Sequence, residues 1–155
     1  MKIKILAHGN TNPEKVILMH KTAKFYASYL NIDNSDYKVY VCSMPNLRKN
    51  DGNNGIVSKT GDKEFTVAVD SSLHLPQMLL TLAHEMVHVK QYIRGQYRAE
   101  PSRNGKHKRF WLGKQYAVEY IRRPWEKEAF RREGELVCAL IVNVTQKEKK
   151  RSRSA

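Results

Sequence analysis

The spacing of apolar positions changes several times along the chain. Lys2 to Leu6 (KIKIL) alternates polar and apolar and predicts a short first strand. Asn10-Thr11-Asn12-Pro13-Glu14 then reads as a helix start. Thr11 or Asn12 can cap, Pro13 suits the first helical position, and Glu14 favours the positive end of the dipole. Val16, Met19, Ala23, Tyr26 and Leu30 recur at helical spacing and carry that helix to about Leu30. After the break at Asp33-Asn34-Ser35-Asp36, Tyr37 to Cys42 (YKVYVC) predicts a strand from its β-branched and aromatic residues.

Pro45 to Gly61 is polar, with turn signals at Asp51-Gly52 and Asn54-Gly55 and a short strand at Ile56-Val57. Glu64 to Val69 (EFTVAV) is the next strand. Immediately before the following helix, it is the expected exposed edge for an extended peptide. That helix runs from His74 or Pro76 to Arg94, and Gly95 stops it. Leu79, Leu80, Leu82, Ala83, Met86 and Val87 make it apolar on most sides, as a buried central helix would be. Gln96 to Lys108 is polar and basic and reads as a loop. Phe110 to Tyr120 (FWLGKQYAVEY) fits strand, hairpin or irregular structure. Pro124 opens a last helix from Trp125 to about Val144, and QKEKKRSRSA from Gln146 reads as a disordered basic tail. The elements predict one α+β domain over residues 1–145 and a tail over 146–155. A small mixed or antiparallel sheet should pack on the N-terminal, central and C-terminal helices.

Composition narrows the class. At 155 residues with 41% apolar residues, the chain can bury a core without staples. No apolar run reaches the roughly 18–20 residues of a membrane span, and MKIKILAHG reads as a strand rather than a signal peptide. The two cysteines, Cys42 and Cys138, lie far apart in apolar segments, which suits a reducing cytoplasm better than a disulfide framework. The net charge of +13 favours an acidic partner, a nucleic acid or an acidic protein surface. The simplest alternative is a solubilising surface with a basic tail. Arg122-Arg123, Arg131-Arg132 and Arg103 to Arg109 are candidates for a basic rim.

The chemistry lies in the central helix, within LAHEMVHVKQ. His84 and His88 stand four apart and project from one helix face, where two imidazoles can share one zinc ion at about 2.0–2.1 Å each. Glu85 sits beside them as a candidate general base. A catalytic zinc takes three protein ligands and leaves the fourth position to water. Glu126, in the first turn after Pro124, and His107, in a basic loop, are the candidate third ligands. Glu126 is preferred, because Lys106, Lys108 and Arg109 would repel a dication and a carboxylate lowers the charge of the site. Glu128 lies on another face, and Ala129 permits close approach of the two helices. Tyr116, Tyr120 and His107 are candidate donors to an oxyanion. Trp111 and Trp125 read as packing residues, and His8, His20 and His74 as bystanders.

His84, Glu85 and His88 with Glu126 and Ala129 resemble the pattern of gluzincin metallopeptidases, HExxH on one helix and E-x-x-A/S on a later one. The longer run HEMVHVKQY…W-x-G-x-x-Y…RPWEKEA, about Leu82 to Glu133, is similar to phage and bacterial SprT-like zincins. The resemblance implies a zincin-like fold, one catalytic zinc held by His84, His88 and Glu126, and hydrolysis of a protein or peptide substrate in a cytoplasm, a host's if phage-borne. It departs from the pattern at Phe130, where an Asp or Asn often follows and supports a histidine. SprT-like proteases act on DNA-associated proteins and use a third histidine with a downstream Phe, which His107 and Phe110 echo. A nucleic-acid-binding or regulatory module with a non-catalytic zinc site is the reading from another class.

Overall fold

The computed structural model describes residues 1–6, 12–102, 105 and 107–154. The chain runs β1 (Lys2–Ile5), α1 (Pro13–Tyr29), β2 (Lys38–Met44), α2 (Leu47–Asp51), β3 (Gly55–Gly61), β4 (Glu64–Asp70), α3 (Leu75–Ile93), β5 (Tyr97–Pro101), β6 (His107–Trp111), β7 (Lys114–Tyr116) and α4 (Pro124–Ser154). A single 3₁₀ turn, Tyr120–Arg122, precedes α4. The architecture is α+β, with one four-stranded mixed sheet and one three-stranded antiparallel sheet. Two of the sequence expectations, Thr11 as a cap and His8 as a bystander, lie outside the described residues, as do Arg103 and Lys106 of the proposed rim.

The main sheet has the order β1-β2-β4-β3. β1, β2 and β4 run parallel, and β3 joins β4 antiparallel. β4 is therefore a central strand, and the expectation that it forms the exposed edge is corrected: β1 and β3 end the sheet, and β3 is the edge beside β4. The hairpin turn at Asp62-Lys63 folds β3 onto one side of β4, while the parallel crossover from β2 occupies the other. The period of two then sorts the strands' side chains. Val39, Val41, Phe65, Val67 and Val69 face the main core, against Met19, Ala23 and Tyr26 of α1 and Met78, Leu82 and Met86 of α3. Cys42 and Ala68 point to the opposite face and are covered by Leu47 of α2.

The helix signals act where expected. The Asn12 side chain caps α1 by accepting from the Glu14 and Lys15 amides. His74 is more than a bystander, since its ring nitrogen accepts from the Gln77 amide at 3.4 Å and caps α3. His20 bonds the Ile3 carbonyl at 2.9 Å and ties α1 to β1. At the far end of α3, Gly95 adopts φ +63°, the left-handed conformation that ends the helix.

Two regions differ from the sequence reading. Residues 96–108 are not a loop throughout, because β5 and β6 form there and pair with each other, and β6 pairs with β7 through a tight turn at Leu112-Gly113. Both turn residues have positive φ, 48° and 82°, as a two-residue hairpin of this hand requires. The expected disordered tail is also corrected, since α4 continues unbroken to Ser154. Residues 146–154 are rich in Lys, Arg, Gln and Glu, all good helix formers, with no Gly or Pro to stop them.

Candidate metal centre

α3 and α4 build the site between them. α3 is buried almost all round, with Met78, Leu82, Ala83, Met86, Val87 and Val89 at 2% exposure or less. Its position is therefore set by the core, and the histidines inherit that rigidity. α4 packs along it with Ala129 fully buried at the interface, as its small size allows. Lys90 of α3 and Glu128 of α4 form a buried ion pair that fixes the two helices in register. Glu128 is thereby engaged away from the histidines.

Three ligand-type atoms converge: those of His84, His88 and Glu126 lie within 4.8 Å of one another. Nε2 of His84 is 3.3 Å and Nε2 of His88 is 3.4 Å from the same oxygen, Oε2 of Glu126. Donors about 2.0–2.1 Å from one tetrahedral zinc are separated by about 3.3–3.4 Å, which the two imidazole–carboxylate separations match. His107 lies outside this cluster, exposed at the start of β6 and paired with Pro101.

The rings are held from behind. Nδ1 of His84 donates to Oε2 of Glu133 at 2.8 Å. Nδ1 of His88 donates to Oε1 of Gln91 at 2.8 Å. The orientation of Gln91 is itself fixed, because its amide nitrogen donates to the Trp125 carbonyl and to Glu128, each at 2.9 Å. The amide oxygen can only accept, so the His88 proton belongs on Nδ1 and the Nε2 lone pair is left for the centre. Glu133 does the same for His84. Neither Gln91 nor Glu133 was anticipated as a site residue. Their signal is positional: Gln91 follows His88 by three residues, and Glu133 lies two turns beyond Glu126 on the same face of α4. Phe130, where a polar support was expected, packs edge-on against His84 with ring centroids 4.7 Å apart.

The electrostatics favour positive charge at the histidines. Burial disfavours charge on His84, yet Glu126, Glu133 and nearby Glu85 push its pKa up to about 9. His88 is raised in the same way, chiefly by Glu126, against the effect of burial. Burial alone would raise the Glu126 carboxyl, but the two imidazoles and the Tyr120 hydroxyl hold it well below the usual carboxylate range. Protons or a metal ion satisfy the same need. Glu85 is raised above its ordinary value, by burial first, with partial relief from His88 and His84.

The centre opens onto a cleft of two adjoining cavities, of about 270 and 290 Å³, that share Asn53, Gly55, His84, Glu85 and Tyr120. The edge strand β3 enters this cleft at Gly55. A Cβ there would meet Thr81 Cγ2 at 2.6 Å and Glu85 Cγ at 3.0 Å, so only glycine permits this approach of strand to helix. Of the three candidate oxyanion donors, Tyr120 alone lines the cleft. Burial and its hydrogen bond to Glu126 raise its pKa. Tyr116 packs instead against Trp125. Trp125 is a buried packing residue as expected, and it also forms part of the second cavity.

No family model matches the chain, and no curated protein or solved structure is significantly similar to it. Among the described residues no helix is long and apolar enough to cross a membrane.

Proposed function

We propose that the chain is a zinc-dependent metallopeptidase of gluzincin type with a zincin-like fold. One observation carries the reading: Nε2 of His84 and of His88 both aim at Glu126, with each Nδ1 tied to its own acceptor, beside a buried Glu85 in an open cleft. Zinc held by His84, His88 and Glu126 would supply a Lewis acid that acidifies water and polarises a peptide carbonyl.

The remaining roles belong to the chain. An extended peptide adds to the free edge of β3 by backbone hydrogen bonds, which brings its carbonyl over Glu85. Glu85 takes the proton of the attacking water and delivers it to the leaving amine. Burial raises its pKa above the ordinary carboxyl value, the direction that makes a carboxylate a stronger base. Tyr120, whose hydroxyl rests against Glu126, would turn that proton from Glu126 to the oxygen that gains negative charge. Glu85→Gln preserves the shape of the site and should retain zinc while losing peptide cleavage. Retention of cleavage by that variant rejects the reading.

We assign this activity to a reducing cytoplasm, a host's if the chain is phage-borne; Cys42 and Cys138 are both free thiols. A second reading, action on proteins held on nucleic acid, is favoured by the exposed basic end of α4, with Lys147, Lys149, Lys150, Arg151 and Arg153. Cleavage stimulated by DNA supports it, and indifference to DNA rejects it. A non-catalytic zinc site has no use for a carboxyl placed as Glu85 is.

A further inference from the structure

The two arms of the cleft differ in charge. The 270 Å³ arm is lined by Asn53, Asn54, Gln77 and Glu133 and, among the described residues, holds no lysine or arginine. The 290 Å³ arm holds Arg109 of β6 and Arg123, which immediately precedes α4. Both arginines are half-buried. Aromatic rings lie beside them: Arg123 lies over Tyr120 at 5.2 Å and Trp125 at 5.9 Å, and Arg109 lines the arm together with Tyr97. Among the described residues neither has a carboxylate partner within 4.0 Å, whereas Arg98 and Arg132 do. Two acids line the arm, Glu85 and Glu126; Glu126 is already engaged by two imidazoles, and neither is an ion-pair partner of the arginines among the described residues. Two guanidinium forks thus line a concave site with no carboxylate partner among the described residues. Such forks match a carboxylate in paired hydrogen bonds.

We propose that Arg109 and Arg123 form a specificity subsite that selects peptides with a carboxylate on the Arg109/Arg123 side of the bond to be cleaved. The carboxylate is that of an Asp or Glu side chain or of the peptide's own C-terminus. This rests on the peptidase reading above. Selection operates on one side of the bond only, because among the described residues the other arm offers no lysine or arginine. A free C-terminus at this distance would make the chain a trimming enzyme; an internal acid would make it a cutter of acidic segments.

The test is binding to the zinc-reconstituted Glu85→Gln chain, read by fluorescence anisotropy. The probes are labelled alanine/serine peptides of about ten residues with one glutamate at successive positions, their glutamine counterparts, and each sequence ending as free acid or amide. The expected result is a preference of about tenfold for glutamate over glutamine at positions on one side of the bond only, or for acid over amide at the end. Changing both arginines to glutamine should abolish the preference while leaving zinc content unaltered. Equal binding of acidic and neutral peptides, a preference that survives loss of both arginines, or failure of every peptide to bind overturns the proposal. So does an oligonucleotide whose binding needs both arginines when the peptides show no preference. Cleavage by the unaltered chain separates the two claims. Peptides cut without regard to charge leave the peptidase and remove the subsite. Charge-selective binding without any cleavage leaves the subsite and removes the peptidase.

Discussion

Glu133 accepts the Nδ1 proton of His84 at 2.8 Å from two turns beyond Glu126 on the same helix. One face of α4 therefore supplies both a group that meets the histidines in front and one that orients a histidine from behind. Loss of such a support typically weakens metal binding 10–100-fold. Glu133→Ala should lower zinc affinity by that order in a chelator competition, with little change in thermal stability, because Glu133 is only half-buried. Unchanged affinity would mean that the bond does not orient the ring.

The pH dependence has opposite signs with and without metal. His84 in the zinc-free chain is pushed up from 6.5 to about 9, so at neutral pH zinc must displace its proton. Zinc affinity should rise as pH increases from about 6 towards 9, with proton release visible by calorimetry in buffers of different ionisation enthalpy. For the zinc-free fold, a raised histidine contributes stability that is full below pH 6.5 and lost as pH rises through about 9. Glu126, lowered from 4.5, contributes above that value and loses its contribution in acid. The melting temperature of the zinc-free chain should therefore fall between pH 6.5 and 9, and a flat profile there contradicts the assignment.

Gly55 is where the edge strand meets the site. Gly55→Ala should force Thr81 and Glu85 aside, since the added carbon would lie 2.6 Å from Thr81 Cγ2. Peptide cleavage should fall at least tenfold at a stability cost of about 1–3 kcal/mol. Zinc content should stay that of the unaltered chain, because the three atoms nearest this carbon belong to Thr81 and Glu85, neither of them a proposed ligand. Cleavage at the original rate would show that β3 does not frame the substrate.

The Lys90–Glu128 pair joins the two helices in a region where Lys90 is 3% exposed. Glu128→Ala strands that ammonium and also removes a partner of Gln91. It should cost about 3–5 kcal/mol of unfolding free energy in denaturant titration. Replacing both residues by apolar ones should recover most of the loss, and no recovery would mean that the damage comes through Gln91 instead.

Much of the site was legible because its signals are local. The spacing of His84 and His88, the stop at Gly95, and the coincidence of Pro124, Glu126 and Ala129 each depend on a few neighbouring residues. The parts that escaped depend on the tertiary fold. Gln91 and Glu133 are polar residues on helix faces, and no pattern separates them from solvated ones until α3 and α4 are packed. Strand order is equally nonlocal, so the edge moved from β4 to β3. β5 and β6 carry too few apolar residues for alternation to register, with YRAEP and HKRFW rich in charge. The helix over residues 146–154 escaped for another reason: composition spoke for disorder while each residue's intrinsic preference spoke for helix.

The most direct test of the centre is zinc content after reconstitution and removal of excess metal, compared among the unaltered chain, Glu126→Ala and His107→Ala. About one zinc per chain is expected in the first and the last, and none retained in Glu126→Ala. A chain that takes up no zinc, or a Glu126→Ala variant that keeps it while His107→Ala does not, would contradict the centre described by His84, His88 and Glu126.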